Sequence, residues 1–367
     1  MFGSYRLVLA WCVVLEHLSA PDSYFNHAGM FAVIGFYVLS GYLITRVLRD
    51  SYGFAFLPFW SNRFLRIYPT YFLLLAVALA LVLGTAHAAD FFPEVWKNSP
   101  ALSDWIGLIA IFPMGFAPMS WSFRPVPPIW SVGVELLNYA VLFAVVARRE
   151  AFAWAVAVAA AGYHVFSLWR GDELAARYFP FHAALLPFAL GALIYFYTKP
   201  AAGRLSPRTA LLLCAPALFN CIVAGLLGGF QPTPLFEASF YLNLVFQCLA
   251  VAALSLVPSA PSWRFDKLTG DLSYPVFLCH WLVGYVIAVT FFPGQWRSIP
   301  LMIATLVLST VVAYFVCELQ NAVIEPLRSR TRARAAAVDD RRLLASGADQ
   351  IPDRPTRPQW RSLRRNS

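Results

Sequence analysis

Charge is scarce in this sequence. Only 13% of its 367 residues are Asp, Glu, Lys or Arg, and 59% are hydrophobic, whereas an ordinary soluble domain carries about 25% charged residues. A water-facing surface cannot be built from so little charge, so the solvent is a lipid bilayer. Cysteine is also sparse and carries no pattern. The six residues Cys12, Cys214, Cys221, Cys248, Cys279 and Cys317 all lie inside apolar runs. They lack metal-ligand spacing and cannot form a disulfide framework, so they are expected to be small buried hydrophobes with no metal to hold. No internal repeat of the kind that marks inverted-repeat transporters is evident.

What the chain does have is long apolar stretches. They fall near 5–20, 30–47, 64–86, 129–147, 151–168, 180–197, 209–228, 238–257, 272–292 and 300–322. Several sit at the lower limit of about 17 residues that an α-helix needs to cross about 30 Å of hydrocarbon. Another segment, "DWIGLIAIFPMGFAPM" (104–119), is interrupted by Pro113 and Pro118. The expected fold class is therefore all-α, a polytopic transmembrane helical protein with about ten crossing helices plus one re-entrant segment. The stretch at 5–20 is read as a retained helix rather than a cleaved signal, because Glu16 and His17 interrupt its apolar core and no basic region beyond Arg6 precedes it.

Loop charges set the orientation. Arg46, Arg49, Arg63 and Arg66 cluster after the second apolar stretch, which places that loop in the cytoplasm. If 104–119 dips in and returns, the loops holding Arg148/Arg149, Lys199/Arg204/Arg208 and Arg264/Lys267 also fall inside; if it crosses, all of them fall outside. Re-entry is thus the cheaper topology, with both termini cytoplasmic, and irregular backbone at that depth must be buried in protein or line a cavity. From Arg328 onward the chain has 11 Arg and 4 Asp, most of the net +9. It lacks apolar periodicity, which predicts a basic, disordered tail over 328–367. Such a tail suits anionic lipid headgroups better than nucleic acid.

Ionisable residues inside spans are costly and mark function. Arg6 and His17 are eleven residues apart, so they fall within about 20° of one helical face and about 16 Å apart along the axis. Glu16 points about 100° away. Arg63 and Arg66, three apart, point the same way at what reads as a helix N-terminus, an anion site. Glu135 lies about five residues inside its span, and His280 about eight inside its own, able to reach the depth of His17. Trp130 and Ser131 suit an interfacial belt and an N-cap. Ser40-Gly41 allows a neighbouring helix to approach closely.

The Arg-x10-His spacing on a first helix resembles the signature of acyltransferase family 3, integral membrane O-acyltransferases. Further motifs follow in that family's order. They are "GFYVLSGYLITRVLR" (35–49), "FWSNRFLRIYPTYF" (59–72), "WSVGVELLNY" (130–139), "LSYPVFLCHWL" (272–282) and "VIEPLRSR" (323–330). The chain departs from the family at Leu136 and Ile34, where members often carry acids. It is also expected to lack the extracytoplasmic hydrolase-like domain fused to some members, so the membrane body finishes the transfer or hands over to a separate extracytoplasmic partner.

The resemblance implies an inner-membrane enzyme, with residues 1–327 as its transmembrane acyltransferase domain. It implies acyl-CoA as donor substrate, with no permanently bound cofactor. The acceptor would be a glycan or glycolipid hydroxyl, and the group moved, acetyl foremost. On this reading Arg6, Arg63 and Arg66 bind the donor, His17, Glu135 and His280 are catalytic, and Trp130, Ser131 and Tyr274 bind substrate. The residues alone leave a second reading open, a transporter or flippase using the same Arg, Glu and His side chains as a substrate or proton path.

Overall fold

The computed structural model describes residues 1–331 except 21–22, 86, 97–99, 229–232 and 259–262. Among the described residues every named element is helical, and the only strand-like pairing is an isolated bridge between Trp96 and Phe123. In chain order the helices are α1 (Phe2–Leu18), α2 (Ala28–Val47), α3 (Phe56–Gly84), α4 (Ala88–Phe91), α5 (Leu102–Ala110), α6 (Ile129–Val141), α7 (Glu150–Arg170), α8 (Leu174–Tyr178), α9 (Phe181–Thr198), α10 (Pro207–Gly228), α11 (Pro234–Ser255), α12 (Trp263–Phe291) and α13 (Ile299–Val323). α2 and α6 each run on through a π-helical turn, to Tyr52 and Val146. Eight of these rods are at least 18 residues long and apolar enough to cross a membrane. α1, at 17 residues, and α10, apolar over Pro207–Val223, supply the other two expected spans. The protein is a multi-pass, all-α membrane protein.

The interrupted segment does not cross. α5 has only nine residues, about 13 Å of helix. At Ile111 the backbone turns with φ 62° and ψ −53°, a conformation costly for a β-branched residue. The carbonyls left open at the end of α5 are taken up by α3: the Tyr71 hydroxyl donates to Leu108 O (2.9 Å) and the Tyr68 hydroxyl to Ala110 O (2.7 Å). Irregular backbone inside the bundle is thereby satisfied by protein rather than left to lipid. Parity agrees. Arg49, at the end of α2, donates to the carbonyls of Ala147 and Arg148 just after α6 (3.1 and 2.9 Å). α2 and α6 therefore end on the same side, and only α3 and α6 cross between them.

α1 lies between α2, α12 and α13. Its approach to α12 is close because Gly3 and Gly270 face each other; a Cβ on Gly3 would collide with the Asp266 carbonyl. α2 and α9 meet in the same way through Gly41 and Gly191, where a Cβ on either would strike the other helix's backbone. Small residues of this kind let membrane helices pack where no hydrophobic force drives them together.

Two expectations need correction. α3 starts at Phe56, so Arg63 and Arg66 sit in its interior rather than at its N-terminus, and no helix-terminal amides face an anion there. The start is earlier because Pro58 fits the first helical turn. Pro69 then falls in the helix interior. At the other end of the chain, residues 325–331 are helical, so the basic tail does not begin as irregular chain at 328. From 332 on, the expected disordered tail lies outside the described residues.

Candidate active site

One end of the bundle gathers the arginines. Arg6, Arg63, Arg66, Ser40, Glu135, Tyr139 and Tyr274 line one small cavity of about 50 Å³. The Glu135 carboxylate accepts from Ser40 Oγ (2.9 Å) and from the Tyr139 hydroxyl (3.0 Å), and Arg6 and Arg66 are close enough to interact with it electrostatically. Arg63 is buried, lies over the Phe59 ring (5.7 Å) and has no partner for its Nε. Two adjoining cavities extend this one. Arg66 and Tyr274 also line a cavity with Asp271, Glu325 and Arg328, where Arg328 pairs with Glu325 at 2.8 Å. Arg6, Glu135 and Tyr274 line a third with Ser131 and Phe277. Tyr274 belongs to all three. Pro69 and Pro275, inside α3 and α12, remove the helical donors of the Leu65 and Asp271 carbonyls, and both of those residues line the Arg66–Arg328 cavity.

The other end holds a pair of imidazoles. Nδ1 of His17 lies 2.8 Å from Nε2 of His280, and the rings meet edge to edge, centroids 5.1 Å apart and planes 12° from parallel. Nδ1 of His280 faces the Val276 carbonyl at 3.4 Å. A carbonyl can only accept, so His280 carries its proton on Nδ1 and presents a lone pair at Nε2. His17 must then donate from Nδ1, which leaves the lone pair of its Nε2 free. His17 lines a cavity of about 230 Å³ with Glu16, Met30, Arg124, Trp130 and Trp281 among its walls. Glu16 accepts from the Met30 N–H at 2.9 Å. Trp281 packs on His17 (5.0 Å) and stacks on Phe92 (4.0 Å, 5°). Arg297, in the loop between α12 and α13, sits over both Phe91 and Trp281 at 4.7 Å. Burial pushes its guanidinium down to about 10.

All nine residues singled out in the sequence lie along this tract, but not all where expected. Glu135 joins the arginines and does not line the His17 cavity, because α6 begins at Ile129 beside that cavity and its next two turns descend to the basic end. Ser131 likewise lines the Arg6–Glu135 cavity, its Oγ donating to Pro128 O (2.9 Å). Tyr274 lies six residues before His280, about 9 Å along α12 and on another face; its hydroxyl donates to Ile67 O (3.1 Å). Trp130 does wall the His17 cavity. Sequence reading passed over Arg124 and Tyr139, and took Ser40 for a packing residue, whereas its hydroxyl donates to Glu135. Tyr139 was legible only as part of a longer motif, and Arg124 only as a lone cation beside prolines. A larger cavity, about 510 Å³, opens beside Arg46, Asp50 and Lys199 and shares no wall residue with this tract among the described residues.

A membrane bundle with a cluster of arginines at one end, Arg63 buried among them, and a pair of imidazoles at the other fits the integral-membrane acyltransferases. The comparisons establish this. A family model described as "Acyltransferase domain" matches residues 5–318, and the chain belongs to that family, acyltransferase family 3. A Komagataeibacter xylinus protein named "Putative membrane-bound transacylase BcsY" is 26% identical over 325 residues, covering 84% of this chain and 81% of its own length. An "Uncharacterized protein" of Aquifex aeolicus (strain VF5) is 23% identical over 210 residues, 55% of this chain and 89% of that one. No solved structure matches. The protein is a membrane acyltransferase.

Proposed function

We propose that this acyltransferase sits in the inner membrane with both termini cytoplasmic, and moves an acyl group, acetyl foremost, from cytoplasmic acyl-CoA to a hydroxyl of a glycan, glycolipid or related acceptor. Residues 1–327 form the catalytic membrane domain; the basic tail adds no chemistry, and a separate extracytoplasmic partner can receive the product. The observation that carries the reading is the His17–His280–Val276 relay, which leaves the His17 Nε2 lone pair free at a cavity wall.

Arg6, Arg63 and Arg66 hold the CoA phosphates by charge-assisted hydrogen bonds. Glu135 keeps Arg6 and Arg66 oriented, and Ser131 and Tyr274 line the path of the pantetheine arm. The rise along α1 of about 16 Å is comparable to the reach of that arm. At its end His17 Nε2 takes the proton of the acceptor hydroxyl as the oxygen attacks the thioester carbonyl. A C–O bond forms, the C–S bond breaks, and the proton passes to the departing thiolate, giving an ester and free CoA. His280 does not touch the reacting atoms; it fixes the His17 tautomer. Trp130 bounds the acceptor side.

The two ends of α1 should fail differently. Acetyl-CoA binding and turnover are measured on purified protein in nanodiscs. His17→Ala should lower kcat by about 10²–10⁴-fold with donor binding kept. Arg6→Ala should mainly raise KM for acetyl-CoA, by about 1.5–3 kcal/mol of lost charge-assisted bonding. Normal turnover by His17→Ala would overturn the mechanism. Movement of unmodified substrate, without acyl transfer, would make the protein a transporter.

A further inference from the structure

The cavity at His17 has a cation on its wall that the mechanism above does not use. Arg124 lies on the return arm of the re-entrant segment and is 7% exposed. Its Nη1 donates to Pro118 O at 2.9 Å, its Nε has no partner, and no carboxylate among the described residues pairs with it. The acid on the same cavity wall, Glu16, is engaged by the Met30 N–H. Arg124 is also held in place. Its backbone N–H donates to Val95 O (2.9 Å), and the neighbouring Phe123 bridges to Trp96. Burial lowers its guanidinium to about 10, which leaves it cationic at any physiological pH.

A buried cation without an anion is costly, and protein interiors keep one where something else supplies the charge. Nη1 gives Pro118 one of its two hydrogens and Nε is enclosed, so the second Nη1 hydrogen and those of Nη2 are left over, the end of a guanidinium fork, which matches the two oxygens of a carboxylate or phosphate. A thioester oxyanion offers one oxygen, and only transiently. We infer that Arg124 is the acceptor-recognition residue, and that the hydroxyl presented to His17 belongs to an acceptor bearing a carboxylate or phosphate beside it, such as an acidic or phosphorylated sugar. This rests on the proposed function for the placement of the acceptor at His17.

The test compares native protein, Arg124→Gln and Arg124→Lys in nanodiscs. Transfer from acetyl-CoA is measured to methyl β-D-glucuronide, glucose 6-phosphate and neutral methyl β-D-glucoside. The native kcat/KM should favour at least one anionic acceptor over the glucoside by about tenfold or more. Arg124→Gln should bring that ratio to about one, and Arg124→Lys should restore part of it. Which anionic sugar is favoured tells carboxylate from phosphate. An equal loss on all three acceptors would overturn the inference, because the guanidinium would then serve the reacting centre. An unchanged ratio would overturn it too. A second readout needs no chemistry. Trp130 and Trp281 wall the cavity, so quenching of tryptophan fluorescence by the same three sugars, without acetyl-CoA, reports binding. Quenching by an anionic sugar that weakens tenfold in Arg124→Gln, in a protein that transfers nothing, would sink the proposed function and leave Arg124 as the recognition residue for an anionic sugar that is not an acyl acceptor. Transfer without Arg124-dependent binding would do the reverse. Melting curves establish that each variant folds, and if Arg124→Gln does not, the ratio and quenching of Arg124→Lys decide.

Discussion

His17 and His280 are both histidines on long apolar helices, yet their surroundings give them different work. His280 is fully enclosed, with one nitrogen toward a carbonyl and the other toward its partner. His17 gives one nitrogen to that partner and keeps one at the cavity. An orienting group of this sort is commonly worth 10–100-fold. His280→Ala should therefore lower kcat about 10–100-fold while KM for acyl-CoA stays within about twofold, measured on protein whose melting temperature is close to native. A role in packing alone would show as lost stability with kcat per folded molecule intact. The tautomer argument could not be made from sequence, because it needs the Val276 carbonyl, which no spacing rule singles out.

At the scale of elements, the re-entrant segment depends on α3. Removing the Tyr71 hydroxyl leaves the Leu108 carbonyl without its donor in a buried setting, at a cost of about 1–3 kcal/mol. Tyr71→Phe should lower the melting temperature measurably and reduce activity, since the same segment carries Arg124 and Pro127 to the His17 cavity. An unaltered melting curve would show that the turn holds without α3. The spans were legible because long apolar runs have few alternatives in a bilayer. The failure of 104–119 to cross was legible from Pro113, Pro118 and the arginines around it. Helix starts were less so. Arg63 and Arg66 read as a helix N-terminus and turned out to be interior, since local sequence does not say that Phe56 to Asn62 begins the helix. Glu135 does lie about two turns into α6, but the groups it meets there, Ser40, Tyr139 and the arginines, are set by helix packing that no local pattern shows. Arg124 was missed because a single arginine among prolines has no period.

For the whole molecule, helix parity puts the arginine end and the histidine end on opposite faces, with the α2–α3 connection and first turns of α3 (50–62) at the first and residues 87–96 at the second. Single cysteines placed in these segments, on a background with the six native ones replaced, should be labelled from opposite sides by an impermeant maleimide; labelling of 50–62 from outside intact cells would reverse the proposed orientation. The distance along α1 between Arg6 and His17 also has an electrical side. On the proposed function, with the donor held at one face and the acceptor at the other, each turnover would send an acyl unit outward, formally an acylium cation, and a hydroxyl proton inward. The two unit charges cancel. A single uncompensated charge crossing the bilayer would feel about 2.3 kcal/mol per 100 mV; this reaction would feel none, and neither membrane voltage nor a proton gradient could drive or stall it. Proteoliposomes with and without an imposed potassium diffusion potential should turn over at the same rate, whereas a voltage-dependent rate would mean that one of the two charges travels alone.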